Sequence, residues 1–282
     1  VTRVGYRLAV LGSPIAHSKS PALHAAAYRV LGLDWSYSAV ETTEATLADV
    51  LTRGSWHGLS LTMPLKHAVR PLLTEEDAVS TATGAVNTVL VDRSGPVPLL
   101  RGYNTDVTGI VRALDEAGVA RAGCVQILGG GATAASALVA AVERGADRVE
   151  VVLRTPAKAA TLIRIAGELG VDLVVRSFAD WSMGAPLVIS TLPGGAADGL
   201  DVPDTVVAGS TLFDVVYSPW PSALARRWDA VGSPVVSGLG MLLHQALVQV
   251  RIFVVGDPAV PLEREDEVLA ALRLAVSAGP VP

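Results

Sequence analysis

At Val125-Gln126-Ile127-Leu128 an apolar run passes directly into Gly129-Gly130-Gly131-Ala132-Thr133-Ala134, and from there into an alanine-rich stretch of helical character. Few folds accommodate that succession. It is G-x-G-x-x-A in strand–turn–helix context, and each small residue answers a steric demand. Gly129 makes the tight turn off the strand, Gly131 leaves room for a pyrophosphate to approach the backbone, and Ala134 lets the helix sit close on the sheet. The N–H groups at the helix start then face an anion. A ligand-free strand–helix connection is the plain alternative; the full context favours a dinucleotide.

The next strand-like run, residues 149–153, distinguishes one dinucleotide from another. A site for NAD usually carries a carboxylate at its end, for the ribose 2′-hydroxyl. Here the chain reads Leu153-Arg154-Thr155-Pro156-Ala157-Lys158, two cations and a hydroxyl with no acid. Arg154 offers a planar fork and Lys158 a point charge. A solvated loop leading to a helix start at Pro156 is the competing reading, but the missing acid and the added cations both point to the 2′-phosphate of NADP.

The same alternation of short β-branched runs with Ala/Leu-rich runs fills the chain, which predicts βαβ units and a mostly parallel sheet. In the first block, strands are expected at residues 7–11, 35–40, 58–61 and 86–91, and helices at 21–31, 44–53, 64–72 and 106–117. Arg93-Ser94-Gly95-Pro96 reads as a turn between short strands. In the second, strands are expected at 124–128, 149–153, 173–175, 187–190 and 211–215, with helices at 132–144 and 158–169; residues 201–208 are too short and proline-interrupted to assign. The tail, 240–255 and 263–276, returns to helical spacing. A chain of 282 residues exceeds what one core usually serves, so two domains are expected, with boundaries near Tyr103 and Ser237.

Composition excludes several classes. Half the residues are hydrophobic, 17% are charged and the net charge is −5, with no Lys/Arg stripe, so the chain is globular and no nucleic-acid partner is expected. The single Cys124 excludes an internal disulfide and a multi-cysteine metal site, and its apolar neighbours predict a buried, inert thiol. The opening segment is strand-like rather than a secretory leader. The most apolar late stretch, 246–255, is interrupted by Gln249 and Arg251 and is too short to span a bilayer. A soluble, reducing compartment, the cytoplasm, is the expected setting.

The first block carries four polar motifs. In Gly12-Ser13-Pro14-Ile15-Ala16-His17-Ser18-Lys19-Ser20-Pro21, Pro21 suits the first helical position with Ser20 as N-cap. Capping alone explains Ser20 but not Ser18; two hydroxyls near a helix N-terminus make a carboxylate receptor. In Ser60-Leu61-Thr62-Met63-Pro64-Leu65-Lys66, Pro64 marks a helix start and puts Lys66 in the first turn, where a cation opposes the helix dipole. That is mild support for a chemical role over a solvated surface lysine. Gly84-Ala85-Val86-Asn87-Thr88 and Asn104-Thr105-Asp106 follow, the last just before a helix, where an acid commonly serves the dipole alone. His17, His24, His57, His67 and His244 show no metal-ligand spacing, and no metal is expected.

Taken in order, these pieces, with the glycine turn, Asp214-Val215-Val216-Tyr217-Ser218-Pro219 and Ser237-Gly238-Leu239-Gly240-Met241-Leu242-Leu243-His244-Gln245, make the chain resemble the shikimate dehydrogenases over nearly its whole length. The resemblance implies an α/β protein of two domains. An open α/β substrate domain, residues 1–103 completed by 238–282, would receive an inserted NADP-binding Rossmann domain, 104–237, with the C-terminal helices returning to the first domain. It implies NADP-dependent, reversible reduction of 3-dehydroshikimate to shikimate in aromatic amino acid biosynthesis, by a monomer or homodimer. Carried over residue by residue, Ser18 and Ser20 would bind the substrate carboxylate with help from Tyr217. Thr62, Asn87, Asp106 and Gln245 would hold the ring hydroxyls, and Lys66 with Asp106 would form the catalytic pair. Gly129, Gly130, Gly131, Ala132, Thr133, Arg154, Thr155, Lys158 and Thr191 would hold the cofactor, and Val215, Gly238 and Met241 would flank its nicotinamide.

Three positions depart from the family pattern. Ser60 stands where Asn is frequent, Leu153 replaces an Asn before Arg-Thr, and Ala132 replaces a glycine, which the turn tolerates if its φ is negative. Competing readings are a quinate or aminoshikimate dehydrogenase of the same fold, an NADP-sensing protein without catalysis, and a generic two-domain enzyme such as a tetrahydrofolate dehydrogenase. Lys66 with Asp106 argues against the second, and the two serines, Tyr217 and Gln245 favour a small polyhydroxy carboxylate over a pterin.

Overall fold

A computed structural model describes residues 5–182 and 184–277. The chain divides into two compact units, Val1–Thr105 with Gln245–Pro282, and Asp106–His244. The divisions lie two residues after the first expected boundary and seven after the second.

The first unit is built on a six-stranded sheet of β1 (Arg7–Gly12), β2 (Ser36–Glu41), β3 (Gly58–Leu61), β4 (Glu75–Glu76), β5 (Thr88–Asp92) and β6 (Leu99–Tyr103), in the order β2-β1-β3-β5-β6-β4. This sheet is mixed, not mostly parallel. The β1–β2, β1–β3 and β4–β6 pairs are parallel, whereas β5 is antiparallel to both β3 and β6. Residues 93–98, which include the expected turn, join β5 and β6 as a hairpin, and a hairpin forces antiparallel pairing. One face of the sheet packs on Leu47, Leu51, Trp56, Leu65 and Val69 through Leu11, Leu59, Leu61 and Val89. The Ser20–Leu31 and Glu265–Ser277 helices pack on each other.

The second unit holds β7 (Cys124–Leu128), β8 (Arg148–Leu153), β9 (Asp172–Ser177), β10 (Leu187–Ser190), β11 (Thr211–Asp214) and β12 (Val235–Ser237), all parallel, in the order β12-β11-β10-β7-β8-β9. That is the doubly wound arrangement, with the order reversing between β7 and β10, the point at which such sheets bind ligands. Beneath it, Leu128, Val152, Val188, Leu212 and the fully buried Trp228 form the core.

Several elements lie beyond what the sequence predicts. The Ala78–Thr83 helix has the sequence AVSTAT, poor helix formers for the most part; Asp77 caps it by accepting the Ser80 N–H at 2.7 Å, and Gly84 ends it at φ 65°. The strands β4 and β12 are two and three residues long, below what periodicity resolves. A short helix fills Asp204–Ala208, and Ser222 caps another at Ala223–Ala230. Cys124 is only partly buried, and desolvation still raises its thiol pKa. No helix among the described residues is long and apolar enough to cross a membrane.

Candidate active site

In the first unit the polar motifs gather at one end of the sheet, because β1 and β3 are adjacent and parallel with Leu11 opposite Leu61. Their outgoing loops are stitched together: Thr62 N–H donates to the Leu11 carbonyl at 2.9 Å and Ser13 N–H to that of Met63 at 3.0 Å. Gly12 is required at this crossing, since a Cβ there would lie 2.4 Å from Thr62 Cγ2. The antiparallel β5 starts at the same end, where Leu61 N–H donates to the Asn87 carbonyl at 2.7 Å and Val86 N–H to that of Lys66 at 2.9 Å. Thr62, Lys66 and Asn87 are thus set side by side by backbone bonding alone.

The helix expected at 64–72 is a four-residue turn, Leu65–Ala68, followed by a 3-10 turn at Arg70–Leu72. Lys66 lies in it, half-buried. So short a helix has little dipole, and the argument from an unfavourable cation loses its weight. The serine loop also corrects an expectation. Ser20 is not the N-cap: Leu23 N–H already closes a turn on the Lys19 carbonyl at 3.2 Å, so Ser20 is helical and buried. Ser18 Oγ takes over part of the capping and accepts the Ser20 N–H at 3.3 Å. Glu41 Oε2 anchors the loop by accepting the Ile15 N–H at 3.1 Å.

Asn87 is 2% exposed and its side chain is fully oriented. Its Nδ2 donates to Thr105 Oγ1 at 2.9 Å, and its Oδ1 accepts the Thr105 N–H at 2.9 Å and the Thr88 hydroxyl at 2.8 Å. Thr105 Oγ1 also lies 3.5 Å from Gln245 Oε1. Asp106, next in the chain, opens the Asp106–Glu116 helix of the second unit and is buried.

In the second unit the glycine turn has the required geometry. Gly129 sits at φ 113°, and a Cβ there would lie 2.5 Å from Thr191 Oγ1, which donates to the Leu128 carbonyl at 2.8 Å. Thr191 and Gly129 therefore meet at the strand-order reversal. Gly131 is the N-cap of the Ala132–Glu143 helix, at φ −90°, and a Cβ on it would meet nothing within 4 Å. Ala132 is tolerated: among the described residues only Arg264 is a non-glycine with positive φ. Leu153 is buried against the turn, its Cδ2 2.9 Å from where a Gly130 Cβ would be. Arg154, Thr155 and Lys158 are exposed just beyond it, and neither cation forms a salt bridge with a described residue. The turn suits a pyrophosphate, and the cations suit a further phosphate.

Val215 and Tyr217 follow β11 on a loop pinned by Asp214, a residue that sequence reasoning left without a role of its own. Asp214 is 1% exposed; Oδ1 accepts the Val216 N–H at 3.2 Å and Oδ2 the Ser222 hydroxyl at 2.6 Å. Burial raises its pKa, while these bonds lower it. Gly238 N–H bonds the Val216 carbonyl at 3.2 Å, and a Cβ on Gly238 would strike the Val215 carbonyl oxygen at 2.0 Å, so only glycine fits. Met241, three residues on, is buried. Desolvation raises the Tyr217 pKa. A carboxylate closing an apolar strand, as in Leu212-Phe213-Asp214, was the available signal. Among the described residues no three His, Cys, Asp or Glu side chains are grouped to hold a metal.

Comparison with known proteins agrees with this geometry. A sequence model described as the shikimate dehydrogenase substrate binding domain matches residues 10–89. The NADP(+) shikimate dehydrogenase of Geobacter sp. strain M21 is 36% identical, over 96% of this chain and 96% of its own. The crystal structure of Mycobacterium tuberculosis shikimate dehydrogenase aligns with a TM-score of 0.81 at 37% identity, covering 95% of this chain and 99% of its own. That of Thermus thermophilus shikimate 5-dehydrogenase, in complex with NADP(H) and shikimate, gives 0.77 at 32% identity, covering 96% and 99%. With its doubly wound sheet, its polar sheet end and likeness to these proteins along nearly its whole length, the chain belongs to the shikimate dehydrogenase family.

Proposed function

We propose that this chain catalyses the NADP-dependent, reversible reduction of 3-dehydroshikimate to shikimate, a step toward aromatic amino acids. The observation that supports it most is the grouping of a hydroxyl loop, an amine and an oriented amide, Ser18, Lys66 and Asn87, at one end of one sheet. Such a set suits a small ring bearing a carboxylate and several hydroxyls. Ser18 and Ser20, beside a twelve-residue helix's N-terminus, hold the carboxylate together with Tyr217. Thr62, Asn87, Asp106 and Gln245 hold ring hydroxyls and fix the face presented for reaction.

NADPH supplies the hydride. The protein's task is the proton. Lys66 donates it to the carbonyl oxygen in reduction and takes it back in oxidation, while Asp106 orients the lysine and the reacting hydroxyl. The second unit holds the cofactor: Gly129, Gly130, Gly131, Ala132, Thr133 and Thr191 at the pyrophosphate, Arg154, Thr155 and Lys158 at the adenosine phosphate, and Val215, Gly238 and Met241 beside the nicotinamide. Of the residues assigned to substrate, the first unit carries Ser18, Ser20, Thr62, Lys66, Asn87 and Gln245. The protein works in the cytoplasm, as a monomer or homodimer, without nucleic acid.

The test is spectrophotometric. Shikimate with NADP⁺ should yield reduced nicotinamide, faster than shikimate with NAD⁺ and faster than quinate with either cofactor. A preference for quinate or for NAD⁺ refutes the respective assignment, and inactivity with all four pairs refutes the enzyme.

A further inference from the structure

Within the first unit a line of polar side chains crosses the core from the Ser20–Leu31 helix to Asn87, and none of those before Asn87 belongs to the set assigned to substrate or cofactor. Tyr28 Oη lies 3.1 Å from His24 Nδ1, and His24 Nε2 lies 3.2 Å from Gln249 Oε1. The same Gln249 oxygen accepts the Ser60 hydroxyl at 2.7 Å, and Ser60 Oγ in turn accepts the Tyr37 hydroxyl at 2.6 Å. On its other side Gln249 Nε2 donates to the Asn87 carbonyl at 3.5 Å. The Tyr37 ring stacks on His24 at a centroid distance of 3.9 Å. Ser60, one of the departures from the family pattern, is thereby turned inward.

The proton on each bond has only one place to be. Burial pushes the His24 imidazole down to about 3, against the opposing bond to Gln249, so the ring is neutral at working pH and has one donor and one acceptor nitrogen. An amide oxygen cannot donate, so Nε2 carries the hydrogen and Nδ1 accepts from Tyr28. Burial raises the hydroxyl pKa of Tyr28 and of Tyr37, so both remain donors. Ser60 receives from Tyr37 and gives to Gln249. The Asn87 main-chain carbonyl can only accept, so the Gln249 amide turns its nitrogen toward Asn87 and its oxygen toward Ser60 and His24. Turning it would leave buried donors unpaired, which is the costly outcome for a polar network.

Gln249 stands one turn after Gln245 on the Leu239–Val255 helix. We infer that Gln249, held by Ser60 and His24, is a positioning residue that fixes that helix against β3 and β5 so that Gln245 and Asn87 meet the substrate ring in register. The inference rests on the proposed assignment of those two residues to ring hydroxyls. It makes Ser60 a positioning element acting from inside the core, by way of Gln249, rather than by touching substrate.

The wild-type enzyme is assayed first with shikimate and NADP⁺; inactivity would overturn both the functional reading and this inference. Gln249→Leu should then raise the KM for shikimate about tenfold, the loss of one well-placed hydrogen bond, with kcat within about threefold and the KM for NADP⁺ unchanged. Tyr28→Phe breaks the same network at the end far from Asn87 and should lower Tm without moving either KM. An unchanged shikimate KM in folded Gln249→Leu overturns the inference. So does a parallel rise in Tyr28→Phe, because the role would then be general stability. Should Gln249→Leu not fold, Ser60→Ala, which removes one of the two donors on the Gln249 oxygen, should raise the shikimate KM about threefold; no rise there overturns the inference.

Discussion

Two glycines two residues apart in the phosphate turn should fail in different ways when each gains a methyl group. At Gly129 the backbone is at φ 113°, a region that costs a non-glycine residue about 1–3 kcal/mol. The new Cβ would also lie 2.5 Å from Thr191 Oγ1, whose hydrogen bond to the Leu128 carbonyl is 2.8 Å long. Thr191 must swing away and give up that bond, at about 0.5–1.5 kcal/mol. Gly129→Ala should therefore cost about 1.5–4.5 kcal/mol, or roughly 3–18 °C in Tm. At Gly131 φ is −90° and a Cβ meets nothing within 4 Å, so Gly131→Ala should cost less than about 1 kcal/mol, the difference between Gly and Ala as an N-cap. Yet that open space is where a pyrophosphate would approach, so its KM for NADP⁺ should rise at least about tenfold. The assay is differential scanning calorimetry alongside NADP⁺ titration in steady-state turnover. If Gly129→Ala melts with the wild type, the strain argument is wrong; if Gly131→Ala binds NADP⁺ as the wild type does, the turn does not hold the pyrophosphate.

Lys66→Ala should lose about 10²–10⁴-fold in kcat with a Tm near that of the wild type, because it removes a proton donor from a half-buried site and little packing; near-normal turnover with unchanged KM would dismiss the lysine as the acid. Arg154→Ala and Lys158→Ala should each raise the KM for NADP⁺ about 10–100-fold and leave that for NAD⁺ nearly unchanged, as expected for charge-assisted bonds to a 2′-phosphate; equal effects on the two cofactors would contradict the assignment. Asp214 has a raised folded-state pKa, with burial as the largest cause, so the folded protein binds this proton more tightly than the unfolded chain and the group's contribution to stability falls as pH rises from the unfolded value through the folded one. Asp214→Asn removes that titration, so the difference in Tm between variant and wild type should shift in favour of the variant as pH rises across that window; a constant difference across it refutes the linkage.

What could be read from the sequence was what depends on neighbouring residues. The tight turn at Gly129 follows directly on the strand before it, so the expectation needs only consecutive residues, and the structure has that strand and a φ of 113° at the glycine. Ser20 shows the limit of that logic: Pro21 fits the first or the second helical position equally well, and only the Lys19–Leu23 hydrogen bond fixes where the helix begins. The mixed pairing of the first sheet also depends on β5 lying antiparallel to β3, a choice of partner that neither hydrophobic alternation nor the turn after β5 encodes. Gln249 and Arg251 carry the same lesson furthest. In the sequence they merely interrupt an apolar run. In the fold Gln249 bonds Ser60, 189 residues away, and Arg251 pairs with Glu265. A buried polar residue signals that partners exist but not which they are.

The chain passes between its two units twice, at Thr105–Asp106 and at His244–Gln245, and each passage carries a proposed site residue. Both passages are tied on both sides by bonds internal to a unit. In the first unit Thr105 and Gln245 are linked at 3.5 Å, with Asn87 behind Thr105. In the second, His244 Nε2 donates to Glu116 Oε2 at 2.6 Å, joining the start of the Leu239–Val255 helix to the end of the Asp106–Glu116 helix. Asp106 and Gln245 are thus carried on secondary structure anchored to either side of each passage, not on loops. A group that must orient a proton or a hydroxyl to within about half an ångström needs such support.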